Sequence, residues 1–159
     1  MTVLVTGAAG QLGQELLARL SRLDDVFAVD RSAQPGPTDI HIQDLSDLNQ
    51  VETLLNRVRP DVVVNAAAYT AVDQAEDNAP LAFQVNQGLP DRLANWCSGN
   101  GRVLVHYSTD YVFSGNADRP YLESDPTGPL GVYGESKLAG EQAIVKSGCR
   151  HLILRTSWV

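Results

Sequence analysis

The sequence predicts an α/β fold, a doubly wound parallel sheet of about six strands with helices on its faces. Three observations carry this reading. Apolar runs of strand length alternate with stretches of helical period along the whole chain. A glycine-spaced turn, Gly7-Ala8-Ala9-Gly10-Gln11-Leu12-Gly13, joins the first apolar run to the first helical stretch. The composition, 43% hydrophobic and 19% charged over 159 residues, is that of a globular domain able to bury a core without disulfides or a structural metal.

Taken in order, residues 3–6 form a short apolar strand. Leu12, Leu16, Leu17 and Leu20 then recur at helical spacing until Asp24 and Asp25 interrupt the pattern. Residues 26–29 make a second buried strand, and Pro35, Gly36 and Pro37 predict a loop where a crossover helix could stand. Residues 40–42 read as a short third strand. Leu48, Val51, Leu54, Leu55 and Val58 form a helical stripe that Pro60 stops. Residues 61–64 are the fourth strand. Leu81, Val85, Leu89, Leu93 and Trp96 predict a long helix, kinked or loosened at Gly88 and Pro90. Residues 102–107 are the fifth strand, and residues 114–134 are rich in Gly, Pro, Asp and Ser, as a functional surface loop is. A helix from about Tyr133 ends at Gly148, a left-handed cap, and residues 151–158 form the sixth strand. One domain over residues 1–159 is expected.

Twelve basic and nineteen acidic residues leave a net charge of −7, which argues against nucleic acid or an anionic membrane as partner. No apolar run reaches the roughly 18 residues of a membrane span, and the apolar start has no basic flank, since the first cation is Arg19. Cys97 and Cys149 lie far apart without a CxxC partner, so a disulfide scaffold and a Cys-rich metal site are not expected, and a reducing cytoplasm fits.

The glycine turn is the first motif with chemistry. Glycine there permits a tight turn and close backbone approach to a pyrophosphate, and the helix N-terminus offers N–H groups and a positive dipole end. Gly7, Gly10, Gln11, Leu12 and Gly13 are therefore candidate dinucleotide contacts. Asp30 ends the second strand, where a carboxylate accepts from the adenosine ribose of NAD, but Arg31 beside it suits a 2′-phosphate, so NAD and NADP both stay open. A strand-end turn is the competing role for Asp30. Tyr133 and Lys137 stand four apart on one helical face, and a nearby ammonium favours the phenolate and tunes a tyrosine for proton transfer. A solvated first turn is the competing account. Ser108-Thr109-Asp110-Tyr111 sits at the C-terminal end of the fifth strand, where doubly wound sheets bind ligands, and a hydroxyl there can hold a carbonyl oxygen.

In this order the motifs resemble the extended short-chain dehydrogenase/reductase family. The resemblance rests on the turn at 7–13, Asn65-Ala66-Ala67-Ala68, Ser108-Thr109-Asp110, and Tyr133 with Lys137, and it spans the chain. Three longer strings sharpen it: 65–76, 106–115 and 155–159 closely resemble the branch of that family that reduces keto sugars. Dehydratase relatives carry Glu after the Thr-Asp pair, where this chain has Tyr111, and many epimerases lack the Thr-Asp-Tyr-Val-Phe string.

The resemblance implies a Rossmann-like fold. It implies hydride delivery from reduced NADP or NAD to C4 of a 4-keto-6-deoxy nucleotide sugar. By it, Thr109 rather than Ser108 bonds the keto oxygen, Tyr133 protonates the alkoxide, and Lys137 holds the nicotinamide ribose and depresses the Tyr133 pKa. It places Asp44 and Leu45 at the adenine, lets the cofactor lie close over Ala66, Ala67 and Ala68, and puts Asp110 and Tyr111 at the substrate. Glu15 matches an acidic position associated with Mg2+ in some relatives, though a solvated helix face explains it as well. The family's chains continue past Val159 into a last strand and a substrate domain. The expectation is thus a chain truncated before both, feeble alone, and prone to pair as a homodimer through the edge of its sixth strand. The alternatives are a non-catalytic dinucleotide-binding or regulatory module, or an epimerase or dehydratase relative.

Overall fold

A computed structural model of the chain describes residues 1–22, 25–32 and 38–157. Its centre is a six-stranded sheet in the order β3-β2-β1-β4-β5-β6, every pair parallel. The strands are β1 (Thr2–Thr6), β2 (Asp25–Asp30), β3 (Ile40–Ile42), β4 (Val62–Asn65), β5 (Val103–Thr109) and β6 (Arg150–Thr156). From β1 the chain moves outward through β2 and β3, then crosses back to β4 on the other side. That reversal leaves a crevice beyond the C-terminal ends of β1 and β4, where open α/β sheets bind ligands.

Side chains alternate across this sheet with period two, and both faces are apolar in the central strands. Leu4, Val63 and Leu104 face one way, into a core with Leu54 and Leu55 of α2 (Leu48–Val58), Leu93 and Cys97 of α5 (Leu89–Asn100) and Ile144 of α6 (Val132–Ser147). Val3, Val5 and Val64 face the other way, against Leu17 of α1 (Gln11–Leu20). β6 pairs with β5 alone among the described residues, and its Leu152 is 52% exposed.

Local chemistry sets the helix ends. Asp47 caps α2 by accepting from the Asn49 and Gln50 N–H groups at 3.1 and 3.3 Å, and left-handed Arg59 turns the chain out ahead of Pro60. α1 closes at Ser21, and Asp25 opens β2 rather than ending a helix. β5 runs two residues further than expected, so Ser108 and Thr109 are strand residues paired to β6. The predicted break at Asp24, the loop at Pro35, Gly36 and Pro37, and the strand end at Trp158 and Val159 lie outside the described residues.

The expected kink at Gly88 and Pro90 is a π-helical turn, Gln84–Gly88, between α4 (Ala79–Phe83) and α5. Pro90 has no N–H to return to the Asn86 carbonyl four residues back, and the wider turn absorbs the mismatch. That carbonyl points at α6, where a Cβ on Gly140 would lie 2.1 Å from it, so glycine there permits the contact. α3 (Val72–Asp77) was not predicted: it is one and a half turns long and buries Ala75 alone, too little to print a periodic stripe. Among the described residues no helix is long and apolar enough to cross a membrane.

Candidate active site

At the crevice lies a cavity of about 820 Å³. Its floor is the glycine turn. Gly7 has φ of +70°, and a Cβ there would meet the Ala66 carbonyl carbon and Ala67 nitrogen at 2.5 Å. A Cβ on Gly13 would lie 2.1 Å from the Gly7 oxygen. The turn thus packs against the chain leaving β4 with no room for side chains, and α1 opens at Gly10 with no side chain capping it. Gly10, Gln11 and Leu12 line the cavity at that uncapped end, a cradle whose free N–H groups and dipole suit a pyrophosphate.

One wall comes from the ends of β2 and β3. Asp30 and Arg31 line it, with Asp44 and Leu45 beside them. The Asp30 carboxylate accepts from Ala9 N–H at 3.0 Å and Ser32 N–H at 3.3 Å, so it braces the glycine turn as well as facing the cavity. Asp44 is held below the usual carboxylate range, first by the N–H and hydroxyl of Ser46 and then, against some burial, by the positive charge of Arg31.

Opposite stands the chain leaving β4. Ala66, Ala67 and Ala68 line the cavity there, and their small side chains keep it open. Beneath them a row of buried polar groups crosses three strands in register: Thr6 donates to Asn65 at 2.6 Å, and the Asn65 amide meets His106 Nδ1 at 2.9 Å. Burial, reinforced by the Lys137 charge, pushes the His106 pKa well down, so its imidazole is neutral.

The inner end of the cavity holds Tyr133 and Lys137, both from α6 and both lining it. Lys137 is 2% exposed, and its Nζ donates to the Tyr107 carbonyl at 2.7 Å. Burial pulls its pKa down to about 8, with the Glu141 carboxylate opposing. Tyr133 moves the other way. Burial raises its pKa, the Thr109 side chain partly offsets that, and the negative charge of Asp110 adds to the rise. The expected depression of Tyr133 by Lys137 is therefore corrected: the ammonium is engaged with a backbone carbonyl, and desolvation of the phenol wins. A neutral phenol is the form that can donate a proton.

The serine and threonine divide differently from the expectation. Ser108 lines the cavity, and its buried Oγ has no hydrogen-bond partner among the described residues. Thr109 is buried and not among the lining residues, its hydroxyl accepting from Tyr111 N–H at 3.2 Å and donating to Asp110 at 3.2 Å, with its side chain also bonding toward the Tyr133 phenol. Asp110 and Tyr111 form the short 3-10 turn after β5, Asp110–Val112, and are not among the residues that line the cavity. Asp110 accepts from the Ser157 hydroxyl at 2.7 Å, and the half-exposed Tyr111 ring meets Tyr133 edge-on with centroids 5.5 Å apart. Sequence reasoning missed Tyr69, Gln74, Tyr107 and Thr156 on the lining, because they carry no spacing motif. Glu15 is exposed on α1, and no group of three or more His, Cys, Asp or Glu gathers for a metal among the described residues.

The RmlD substrate binding domain family matches residues 1–159. The dTDP-4-dehydrorhamnose reductases of Shigella flexneri and Escherichia coli (strain K12) are each 45% identical over 159 residues, which is 100% of this chain and 52% of each of theirs. The crystal structure of the Bacillus anthracis dTDP-4-dehydrorhamnose reductase in complex with NADP superposes with a TM-score of 0.88 at 35% identity, covering 99% of this chain and 53% of that one. The Bordetella bronchiseptica enzyme WbmG in complex with NAD superposes at 0.85 with 25% identity, over 98% and 52% of the two chains. The chain spans about half the length of these relatives. Matched from its first residue to its last, it belongs to the RmlD substrate binding domain family.

Proposed function

We propose that this chain is the cofactor-binding and proton-donating part of a dTDP-4-dehydrorhamnose reductase. In this reading it uses NADPH or NADH to reduce the 4-keto group of dTDP-4-dehydro-6-deoxy-L-mannose to dTDP-L-rhamnose, a nucleotide sugar for cell-surface polysaccharide. The observation that carries the reading is a half-buried, neutral Tyr133, reached by the Thr109 side chain, beside a buried Lys137 on the lining of a glycine-floored cavity.

The residues suit a dinucleotide. Gly7 and Gly13 let the turn close against the backbone of 66–67 and of 7–8, where a Cβ would clash, and Gly10, Gln11 and Leu12 open a helix with no side-chain cap. Asp30, whose two oxygens already accept from backbone N–H groups, stands beside Arg31, a pair that accommodates either cofactor. Asp44 and Leu45 border the adenine end, and Ala66, Ala67 and Ala68 let the ring system lie close to the sheet. When bound, the reduced nicotinamide supplies the hydride. Tyr133 gives its proton to the oxygen that gains charge, Lys137 binds ribose hydroxyls, and the Thr109 hydroxyl, turning from Asp110 when substrate enters, donates a hydrogen bond to that oxygen. Asp110 and Tyr111 contact the sugar. The whole forms one dinucleotide-binding domain, with the open edge of β6 as its surface for a second copy or for further chain. Two free, buried cysteines suit a reducing cytoplasm.

The test is turnover by the full-length protein. Adding dTDP-4-dehydrorhamnose should oxidise the reduced nicotinamide in proportion to the sugar consumed. Tight cofactor binding with no sugar-dependent oxidation would point to a binding module instead. Cofactor affinity should also depend on pH. Lys137 keeps its proton below about 8 and loses it above, so its hold on ribose hydroxyls weakens as pH rises through that value. Fluorescence titrations of NADPH from about pH 7 to pH 9 should show rising Kd. A flat Kd would remove the Lys137 ammonium from the site.

A further inference from the structure

The helix that carries Tyr133 has no cap of its own. α6 begins after Gly131, which has extended backbone and no side chain to accept from the first-turn N–H groups. The missing acceptor arrives from elsewhere in the fold. Glu76, on α3, places Oε1 2.8 Å from the Val132 nitrogen and accepts its N–H, across 56 residues of chain. A Cβ at 131 would lie 2.7 Å from the same oxygen, so the absence of a side chain there lets the carboxylate come in close. The carboxylate also lies at the positive end of the helix dipole, where a negative charge is favoured.

This contact joins the cavity wall to the helix of the proton donor. Ala71 and Gln74, just before Glu76, line the cavity, and the Gln74 carbonyl ties down the end of α3 by accepting from the Asn78 backbone N–H at 3.0 Å and its side-chain amide at 3.1 Å. On the opposite flank α6 is pressed against the site, since a Cβ on Gly134 would come within 2.4 Å of the Tyr111 carbonyl. Tyr133 lies between, one residue after the capped N–H and one before the tight glycine. Its own carbonyl is held by the Ser136 hydroxyl at 2.8 Å. The first turn is thus gripped from both sides, and Glu76 is the polar half of the grip.

We propose that Glu76 is a positioning residue: its carboxylate supplies the N-terminal cap that α6 lacks and so fixes where Tyr133 presents its phenol. The proposal rests on the reading of Tyr133 as proton donor. Without the cap the first turn loses a bound N–H and frays, and the phenol shifts relative to the reacting oxygen, a kind of misplacement to which turnover is sensitive.

Full-length protein carrying Glu76→Ala, Glu76→Gln, Tyr133→Phe, or Glu76→Ala with Tyr133→Phe is to be compared with wild type for kcat, sugar KM and NADPH affinity. Glu76→Ala should lower kcat by about three- to tenfold while leaving KM and cofactor affinity in place. Glu76→Gln should return kcat to within about twofold, because the amide oxygen reaches the same N–H. In the Tyr133→Phe background Glu76→Ala should cost nothing further, since its effect passes through the phenol. Unchanged kcat in Glu76→Ala, or an equal loss in both backgrounds, overturns the proposal. Wild-type turnover in Tyr133→Phe overturns the proton-donor reading beneath it and is seen without any change at Glu76. If the alanine variant does not fold, Glu76→Asp and Glu76→Gln decide: the shorter carboxylate should lose turnover and the full-length amide keep it, and the reverse order overturns the proposal.

Discussion

Replacing Tyr133 with phenylalanine is expected to lower kcat by about 10²-fold or more while cofactor affinity stays where it was. The ring would keep its edge-on contact with Tyr111 and its place in the cavity lining, so the change removes the hydroxyl and little else. What goes is the proton. In the resting protein the phenol is held above its ordinary pKa, chiefly by burial, and so is neutral and able to donate at physiological pH. The Thr109 side chain bonds toward the same group and opposes part of that rise. Steady-state turnover beside a cofactor titration checks this. A parallel loss of NADPH binding would mean that Tyr133 acts on the cofactor rather than on the proton.

Gly7→Ala should damage the whole molecule. Gly7 lies at φ of +70°, in the left-handed region, and its added methyl would meet the backbone of Ala66 and Ala67 at 2.5 to 2.6 Å. Neither neighbour can retreat, because β1 and β4 are hydrogen-bonded in register and the Ala66 N–H is already given to the Thr6 carbonyl at 3.1 Å. Backbone strain plus overpacking should cost about 3 kcal/mol or more, read as a drop in the urea midpoint, with loss of NADPH binding in what remains folded. Gly148→Ala is the control. It has nearly the same φ, +69°, but nothing within 4 Å of the new Cβ, so strain alone should cost about 1 kcal/mol. Equal losses at both sites would show that the close approach of the glycine turn to β4 does not matter.

The strands were legible because a parallel sheet covered on both faces writes itself as short apolar runs, and all six runs are strands in the structure. The glycine turn was legible because a close backbone approach can be met in few ways. Other features are not local. The neighbourhood of Tyr133 depends on where the Lys137 ammonium turns, and it turns to the Tyr107 carbonyl, so a spacing of four predicted the pairing of helix positions but not the direction of the pKa shift. Ser108 shows the same limit, since its place on the cavity lining follows from β5 extending to Thr109, beyond the apolar run that marked the strand. Glu76 lies 56 residues from the N–H it accepts, and nothing in its own stretch of sequence says that α6 needs it.

The most direct measurement follows a label. Full-length protein is given dTDP-4-dehydrorhamnose with reduced nicotinamide deuterated at its transferable position, and the product is read by NMR. The account predicts dTDP-L-rhamnose carrying one deuterium at C4, with about a hundredth as much or less appearing when Tyr133→Phe is used over the same time. Deuterium at another carbon, or a keto sugar returned unlabelled while the cofactor is bound, would contradict it.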